Sequence, residues 1–252
     1  VGWQSPVVYP DVVNAEEYMH LSRRASENDG AVSLYTDEYI ANYRRNNYLD
    51  PDAYPIIDWQ DRLMTGNGFT HNHTLSMSAG SERIRVMTSL GYLDQNGIIK
   101  NANFKRYNLR NNMDIRMNDR LNFRLDIAAT YSRRAANPYQ SSVFGFMNSK
   151  DPLMLAQWSD GSYAPFTGGT VNPLPMIEQG VGGNNIRQNG TLKASAALEY
   201  KPVQWLTLEV KAAPQFTAVK THKFVDLVEY HSDPYGTVSK TSNAEYNSLD
   251  ET

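Results

Sequence analysis

The chain has 252 residues, no cysteine, and 24 basic against 27 acidic side chains, for a formal net charge of -3. Disulfides, zinc-thiolate sites and cysteine nucleophiles are thereby excluded, and the charge balance gives the chain as a whole no electrostatic case for nucleic acid. Mean hydropathy is -0.56, and no apolar run reaches the roughly 18 residues of a membrane-spanning helix, which leaves room only for spans built from strands that are apolar at every second position.

The chain begins at Val1-Gly2-Trp3 without a basic n-region and apolar h-region, so a membrane reading expects an internal piece whose targeting signal lies elsewhere. Val1 to Gly68 has spacing compatible with short helices over Ala15 to Ala25 and Asp37 to Arg45. Thr36 suits an N-cap, with Asp37 and Glu38 in the favoured first turn. Asn28-Asp29-Gly30 and Leu49 to Pro55 read as turns. This first segment is expected to be a partly helical excursion.

From Asn72 the period changes to two. Leu75, Met77 and Ala79 point one way and Thr74, Ser76 and Ser78 the other, as strand geometry requires. Gly80-Ser81-Glu82-Arg83 supplies a turn, after which Ile84, Val86, Thr88, Leu90 and Tyr92 line one face of a second strand. A third strand, Lys105 to Met117, sets Tyr107, Leu109, Met113 and Ile115 against Arg106, Asn108, Arg110, Asn112, Asp114 and Arg116. Beyond Asn118-Asp119-Arg120, Leu121, Phe123, Leu125, Ile127 and Ala129 alternate with Asn122, Arg124, Asp126, Ala128 and Thr130. Lys105 to Arg134 carries eight basic and three acidic side chains, read as charge on the wet face of strands.

Arg134 to Gly190 loses the rhythm, is rich in glycine and carries five prolines, so a long loop is expected there. Alternation resumes with Leu192, Ala194, Ala196, Leu198 and Tyr200, then Leu206, Leu208, Val210 and Ala212, before a less regular tail from Thr221. Connections therefore alternate in length. Asn118 to Arg120 and Lys201-Pro202-Val203 are short, whereas Asp94 to Asn103 and Arg134 to Gly190 are long, the asymmetry of a barrel with turns on one side of a membrane and loops on the other. Tyr92, Phe104, Tyr107 and Tyr131 lie near the loop ends of strands, and Tyr200 and Trp205 flank the Pro202 turn, as interfacial girdles would. Unpaired backbone groups are costly in hydrocarbon, so six strands with a free edge imply a larger closed assembly.

Four blocks, Asp58 to Asp61, His71 to Ser81, Ser89 to Asn101 and Phe104 to Arg110, in this order and spacing, resemble the SusC/RagA family of TonB-linked outer-membrane proteins. The resemblance is clear from about Asp58 to Tyr131 and weaker over the rest. It implies an all-β fold, part of a large antiparallel transmembrane β-barrel of 22 strands, with a partly helical extracellular excursion at 1–70, four barrel strands at 71–133, a long extracellular loop at 134–190, and further barrel strands and the start of the next loop at 191–252. It also implies import of oligosaccharide or peptide cargo across the outer membrane of a Bacteroidota-like Gram-negative bacterium. The implied partners are a SusD-type surface lipoprotein and the TonB complex, contacted through a region this chain lacks, together with outer-membrane lipid. No cofactor is implied.

Within that frame Arg106, Arg110 and Arg124 are expected to face the polar lumen. Trp158, Asp160, Tyr163 and Phe166 in the long loop are the candidate cargo contacts, through aromatic planes and an acceptor carboxylate, or else residues that pin the loop to itself. His71 and His73 share a strand face but have no evident partner ligands, so no metal site is assigned. Two other readings stand beside the transporter: a soluble β-rich ligand-binding module, and a glycoside-cleaving enzyme using paired carboxylates such as Asp151 and Asp160, for which no nucleophile-base constellation is present.

Overall fold

The structure, a computed structural model, describes residues 1–8, 10–165, 172–178, 180–233, 238–240 and 244–252. A short strand β1 (Gly2–Gln4) precedes three helices, α1 (Ala15–Asn28), α2 (Asp37–Leu49) and α3 (Trp59–Leu63). Each helix starts where a side-chain oxygen satisfies free backbone N–H groups. The Asn14 amide oxygen accepts from Glu16 and Glu17 N–H at 3.0 Å each, and Glu17 accepts in return from Asn14 N–H at 3.0 Å. Thr36 accepts from Tyr39 N–H, as its position predicts, and Asp58 accepts from Gln60 and Asp61 N–H. α1 runs a turn past the expected end at Ala25 and stops at Asp29 and Gly30, the latter at φ 71°.

Four long strands follow: β2 (Gly68–Gly80), β3 (Ile84–Asn96), β4 (Asn103–Asn118) and β5 (Leu121–Ala136). The loop after β5 contains a 3-10 turn at Gln140–Ser142 and helices α4 (Val143–Ser149) and α5 (Leu174–Ile177). The chain then returns to the sheet as β6 (Gly183–Val203), β7 (Leu206–Ala212) and β8 (Gln215–Val225), forms a ribbon from β9 (Glu229–His231) and β10 (Val238–Lys240), and ends in β11 (Ala244–Glu251). The main sheet has nine strands, ordered β1-β2-β3-β4-β5-β6-β8-β11, with β7 also paired to β6. Among the described residues every pairing is antiparallel; β1 to β7 pair with their chain neighbours, while β8 pairs with β6 beyond β7 and β11 pairs with β8.

The expected alternation of connection lengths holds through this meander. Residues 81–83, 119–120 and 204–205 make tight turns at one end, and residues 97–102, 137–182 and 226–243 make the longer connections at the other. Two local expectations fail. The turn placed at Lys201 to Val203 lies at Gln204-Trp205 instead: a register shift between Tyr200 and Val203 takes up Pro202, which has no N–H to give the ladder, and Val203 pairs with Leu206. The tail read as less regular from Thr221 begins with the end of β8 and also carries β9, β10 and β11. Pro214 does not stop the strand, because its carbonyl still accepts from Ala194 N–H at 3.0 Å, and β8 carries on along β6 from Gln215 to Val225.

The buried core is not in the sheet. Trp59, Leu63 and Met64 from the first segment pack with Ile99 and with Val143, Met147, Ala156, Leu174 and Ile177 from the long loop, and a second cluster of Met19, Ile40 and Tyr43 packs beside Leu153. The excursion and the loop are thus one packed outer unit at the loop end of the sheet. The Trp59 indole donates to the Asp151 carbonyl at 3.0 Å, and Ser159 donates through N–H and hydroxyl to Asp52. The loop escapes the usual penalty on long irregular segments because it has short helices and a core of its own.

No helix of the described residues is long and apolar enough to cross a membrane, which leaves strands as the elements that could.

Candidate functional site

The register resolves the sheet into two chemically distinct faces. One carries the row Leu75-Leu90-Leu109-Ala129-Leu192-Phe216, and toward the short turns Ala79-Val86-Met113-Leu125-Ala196-Ala212 and Ile84-Ile115-Phe123-Leu198-Val210. These side chains are uncovered: Leu75 is 58%, Met77 59% and Val210 72% exposed. A soluble sandwich needs a second layer over this face, and the described residues supply none. An apolar sheet face of this extent in water would be an aggregation surface.

At the loop end the apolar band stops at aromatic rings. His73, Tyr92, Tyr107 and Tyr131 stand directly across from one another, with centroids 6.4, 5.0 and 6.3 Å apart between successive rings. His71, Phe69 and Trp3 extend the run onto β1 with spacings of 5.2 to 5.7 Å. At the turn end sit Tyr200, 42% exposed, and Trp205, 83% exposed. Tyr200 pairs with Leu121, so the two aromatic levels are ten strand positions apart, 121 to 131. Ten positions are about 34 Å along a strand, or about 25 Å along the normal at the 35–45° tilt of barrel strands, the height of the apolar band of an outer-membrane barrel.

Three of the four aromatics expected at the loop end fall in this row. Phe104 does not: it pairs with Arg134 on the other face, because it differs from Tyr107 by an odd number of positions. Conversely, Trp3, Phe69 and the two histidines belong to the row although their sequence context singled none of them out as interfacial. The ring nitrogens of His71 and His73 lie 3.2 Å apart, and among the described residues no cluster of three or more His, Cys, Asp or Glu forms a metal site.

The opposite face is mostly polar, with Met87, Leu93 and Phe104 among its few large apolar side chains. Arg106, Arg110 and Arg124 all lie on it, as their shared parity predicts. Arg124 pairs with Glu209 at 3.4 Å, and the Arg110 Nε donates to Asn112 at 3.3 Å.

Of the loop candidates, Trp158, Asp160 and Tyr163 sit in a tight turn of the outer unit, and their polar groups are engaged there. Trp158 Nε1 donates to the His231 carbonyl at 2.8 Å, and its N–H to the Ser162 carbonyl at 2.8 Å. Asp160 accepts from the Ser162 N–H and hydroxyl, which hold its carboxyl below the usual carboxylate range. The Tyr163 hydroxyl donates to Glu178; burial, then that carboxylate, push its phenol upward. Phe166 lies outside the described residues. Asp151, paired with Asp160 in the enzyme reading, has other business: Tyr18 hydrogen-bonds to it and is pushed up to about 12 by that bond and by burial, and Leu153 N–H donates to its carboxylate.

No protein-family model matches the chain. It is 28% identical over 179 residues to TonB-dependent receptor P26 of Formosa agariphila, covering 69% of this chain and 17% of the relative. It is 35% identical over 77 residues to TonB-dependent receptor SusC of Bacteroides thetaiotaomicron, covering 29% of this chain and 8% of that receptor. Among solved structures it superposes on the RagAB peptide importer in the closed-closed state with TM-score 0.64 at 16% identity, over 94% of this chain and 29% of that one. The open-open state gives TM-score 0.62 at 17% identity, over 99% and 30%. The chain is similar in sequence to TonB-dependent receptors and spans under a fifth of the length of the curated relatives it matches.

Proposed function

We propose that this chain is a stretch of barrel wall, with its extracellular cap, from a TonB-dependent transporter in the outer membrane of a Gram-negative bacterium. In this reading the transporter imports oligosaccharides or peptides together with a SusD-type surface lipoprotein, and TonB acts on regions outside this chain. The observation that carries the reading is the uncovered apolar face, bounded by aromatic levels about 25 Å apart along the normal, with a wet face behind it. In lipid such a face is at no cost, whereas its strand edges must pair with further strands. Arg106, Arg110 and Arg124 then face the channel, and the outer unit built on Trp59, Leu63 and Val143 faces the medium, where cargo and the lipoprotein arrive.

Because this segment contributes no cysteine, single cysteines report on it cleanly. In the full-length protein on intact cells, a membrane-impermeant maleimide is expected to label Tyr48→Cys in the outer unit. It should leave Leu125→Cys unlabelled, while a lipid-soluble maleimide reaches Leu125→Cys. Labelling of Leu125→Cys by the impermeant reagent would refute the membrane assignment.

A further inference from the structure

The wet face is electrically lopsided along the strands. On its turn-side half, cations and acids are mixed: Arg85, Asp114 and Arg124 stand across from one another on β3, β4 and β5, with Asp126, Glu199, Glu209 and Lys211 nearby. On its loop-side half, Arg106, Arg110, Arg134, Arg187, Lys193 and Lys223 share the face. The acid on that half among the described strands is Asp250, on β11 opposite Val219. The outward face at the same height shows no such segregation, since Lys105 there pairs with Asp94 at 3.2 Å.

Four of these cations form a diagonal across adjacent strands. Arg134 on β5 is the direct cross-strand partner of Arg187 on β6. Arg106 on β4 pairs with Ser132 and so sits diagonally beside Arg134. Lys223 on β8 pairs with Asn185 and sits diagonally beside Arg187. Arg106, Arg134 and Arg187 are exposed, Lys223 is half-buried, and none has a side-chain ion pair or hydrogen bond within the described residues. Like charges directly opposite in a sheet are destabilising. Guanidinium groups held this way converge on whatever carries negative oxygen, because their planar forks bind carboxylate in pairs. Phe104, opposite Arg134, and Tyr246, opposite Lys223, place a ring beside each end of the diagonal.

We propose that this diagonal is a cargo-selecting site for a short oligomer bearing repeated carboxylates. Strands are about 4.8 Å apart and diagonal cross-strand neighbours about 7–8 Å, so successive cations match anionic groups repeated at about that interval. An acidic peptide and a uronate oligosaccharide share this chemistry, and the field of four unpaired cations at the mouth of a channel also concentrates such cargo before it binds. The assignment rests on the channel reading of the wet face.

The test uses the full-length transporter in detergent and four probes: an alternating Ser-Glu hexapeptide, its Ser-Gln counterpart, hexagalacturonate, and the same hexamer fully methyl-esterified. The acidic member of one pair is expected to bind at least tenfold more tightly than its neutral member, and which pair shows the preference identifies the source of the carboxylates. Arg134→Gln with Arg187→Gln should bring that preference to within about threefold and flatten its salt dependence, whereas Arg134→Lys with Arg187→Lys keeps most of it. Equal binding of acidic and neutral probes by the wild type, or an undiminished preference in the glutamine variant, would overturn the site, as would failure of every probe to bind. Should the glutamine pair fail to reach the membrane, Arg106→Gln alone carries the same comparison. Cysteine labelling in cells reports separately on the membrane assignment, so the site can fail while the transporter reading stands.

Discussion

The sharpest perturbation places one charge at three positions that differ in face and depth. Ile127 lies on the apolar face four positions from Tyr131 and six from Leu121, so it sits about 10 Å below the loop-side aromatic level at barrel tilt, close to mid-membrane. An arginine at the midplane of a barrel's lipid face costs about 2–4 kcal/mol, falling to about 0–1 near the interfaces. Ile127→Arg is therefore expected to lose about 2–4 kcal/mol. Ala129→Arg, two positions from the tyrosine, should lose about 1 kcal/mol, since its guanidinium reaches the headgroups. Ser195→Arg is one row away on the wet face, directly opposite Asp126, and should be near neutral. The assay is reversible denaturant unfolding of the full-length protein from phospholipid vesicles, read with outer-membrane abundance in cells. If Ser195→Arg cost as much as Ile127→Arg, or Ala129→Arg cost more, the assignment of faces and depth would be wrong.

Three further outcomes follow from the outer unit and the strand crossings. Leu63 is fully buried between the first segment and the long loop, so Leu63→Ala should cost about 2–5 kcal/mol, seen as faster hydrogen exchange in α3 and α4 with the strands unchanged. Gly183 has φ +93° and a Cβ there would collide with the Phe224 carbonyl, whereas a Cβ on Gly190 has nothing nearer than Ala218 O at 4.0 Å. Gly183→Ala is thus expected to impair assembly by about 1–3 kcal/mol and Gly190→Ala to be tolerated, as measured by folded yield in membranes. Tyr18, Tyr43, Tyr163 and Tyr230 all have raised phenol values, led by burial in the last three and by the Asp151 hydrogen bond in Tyr18. A folded-state value above the unfolded value of about 10 means stability that is complete below pH of about 10 and lost as pH climbs toward the folded values. Protease should open the outer unit at about pH 10.5–12 while the sheet stays intact; opening at neutral pH and closure at high pH would contradict the sign.

Much of the sheet was legible along the chain because strand faces are a local property. Parity alone put Leu75, Leu90, Leu109, Leu125 and Leu198 on one side and Arg106, Arg110 and Arg124 on the other, and the register keeps them there. Parity also sufficed to remove Phe104 from the girdle, had it been counted from Tyr107. Local pattern does not show where pairing carries on past a proline: the Pro214 carbonyl accepts from Ala194 N–H, and β7 and β8 run along the same partner, β6.

What the sequence determined by itself is therefore the alternation, the order of short and long connections and the two-faced chemistry, each set within a dozen residues. What only the tertiary structure decided is which distant residues meet. Asp52 finds Ser159 and Trp59 finds Asp151, joining in one packed unit a segment that reads as a partly helical excursion and another that reads as a loop. Arg134 and Arg187 become neighbours only through the β5–β6 register. The physical reason is that side-chain direction is dictated by the nearest peptide units, whereas loop closure and strand register are chosen by the burial and pairing of groups far apart in the chain.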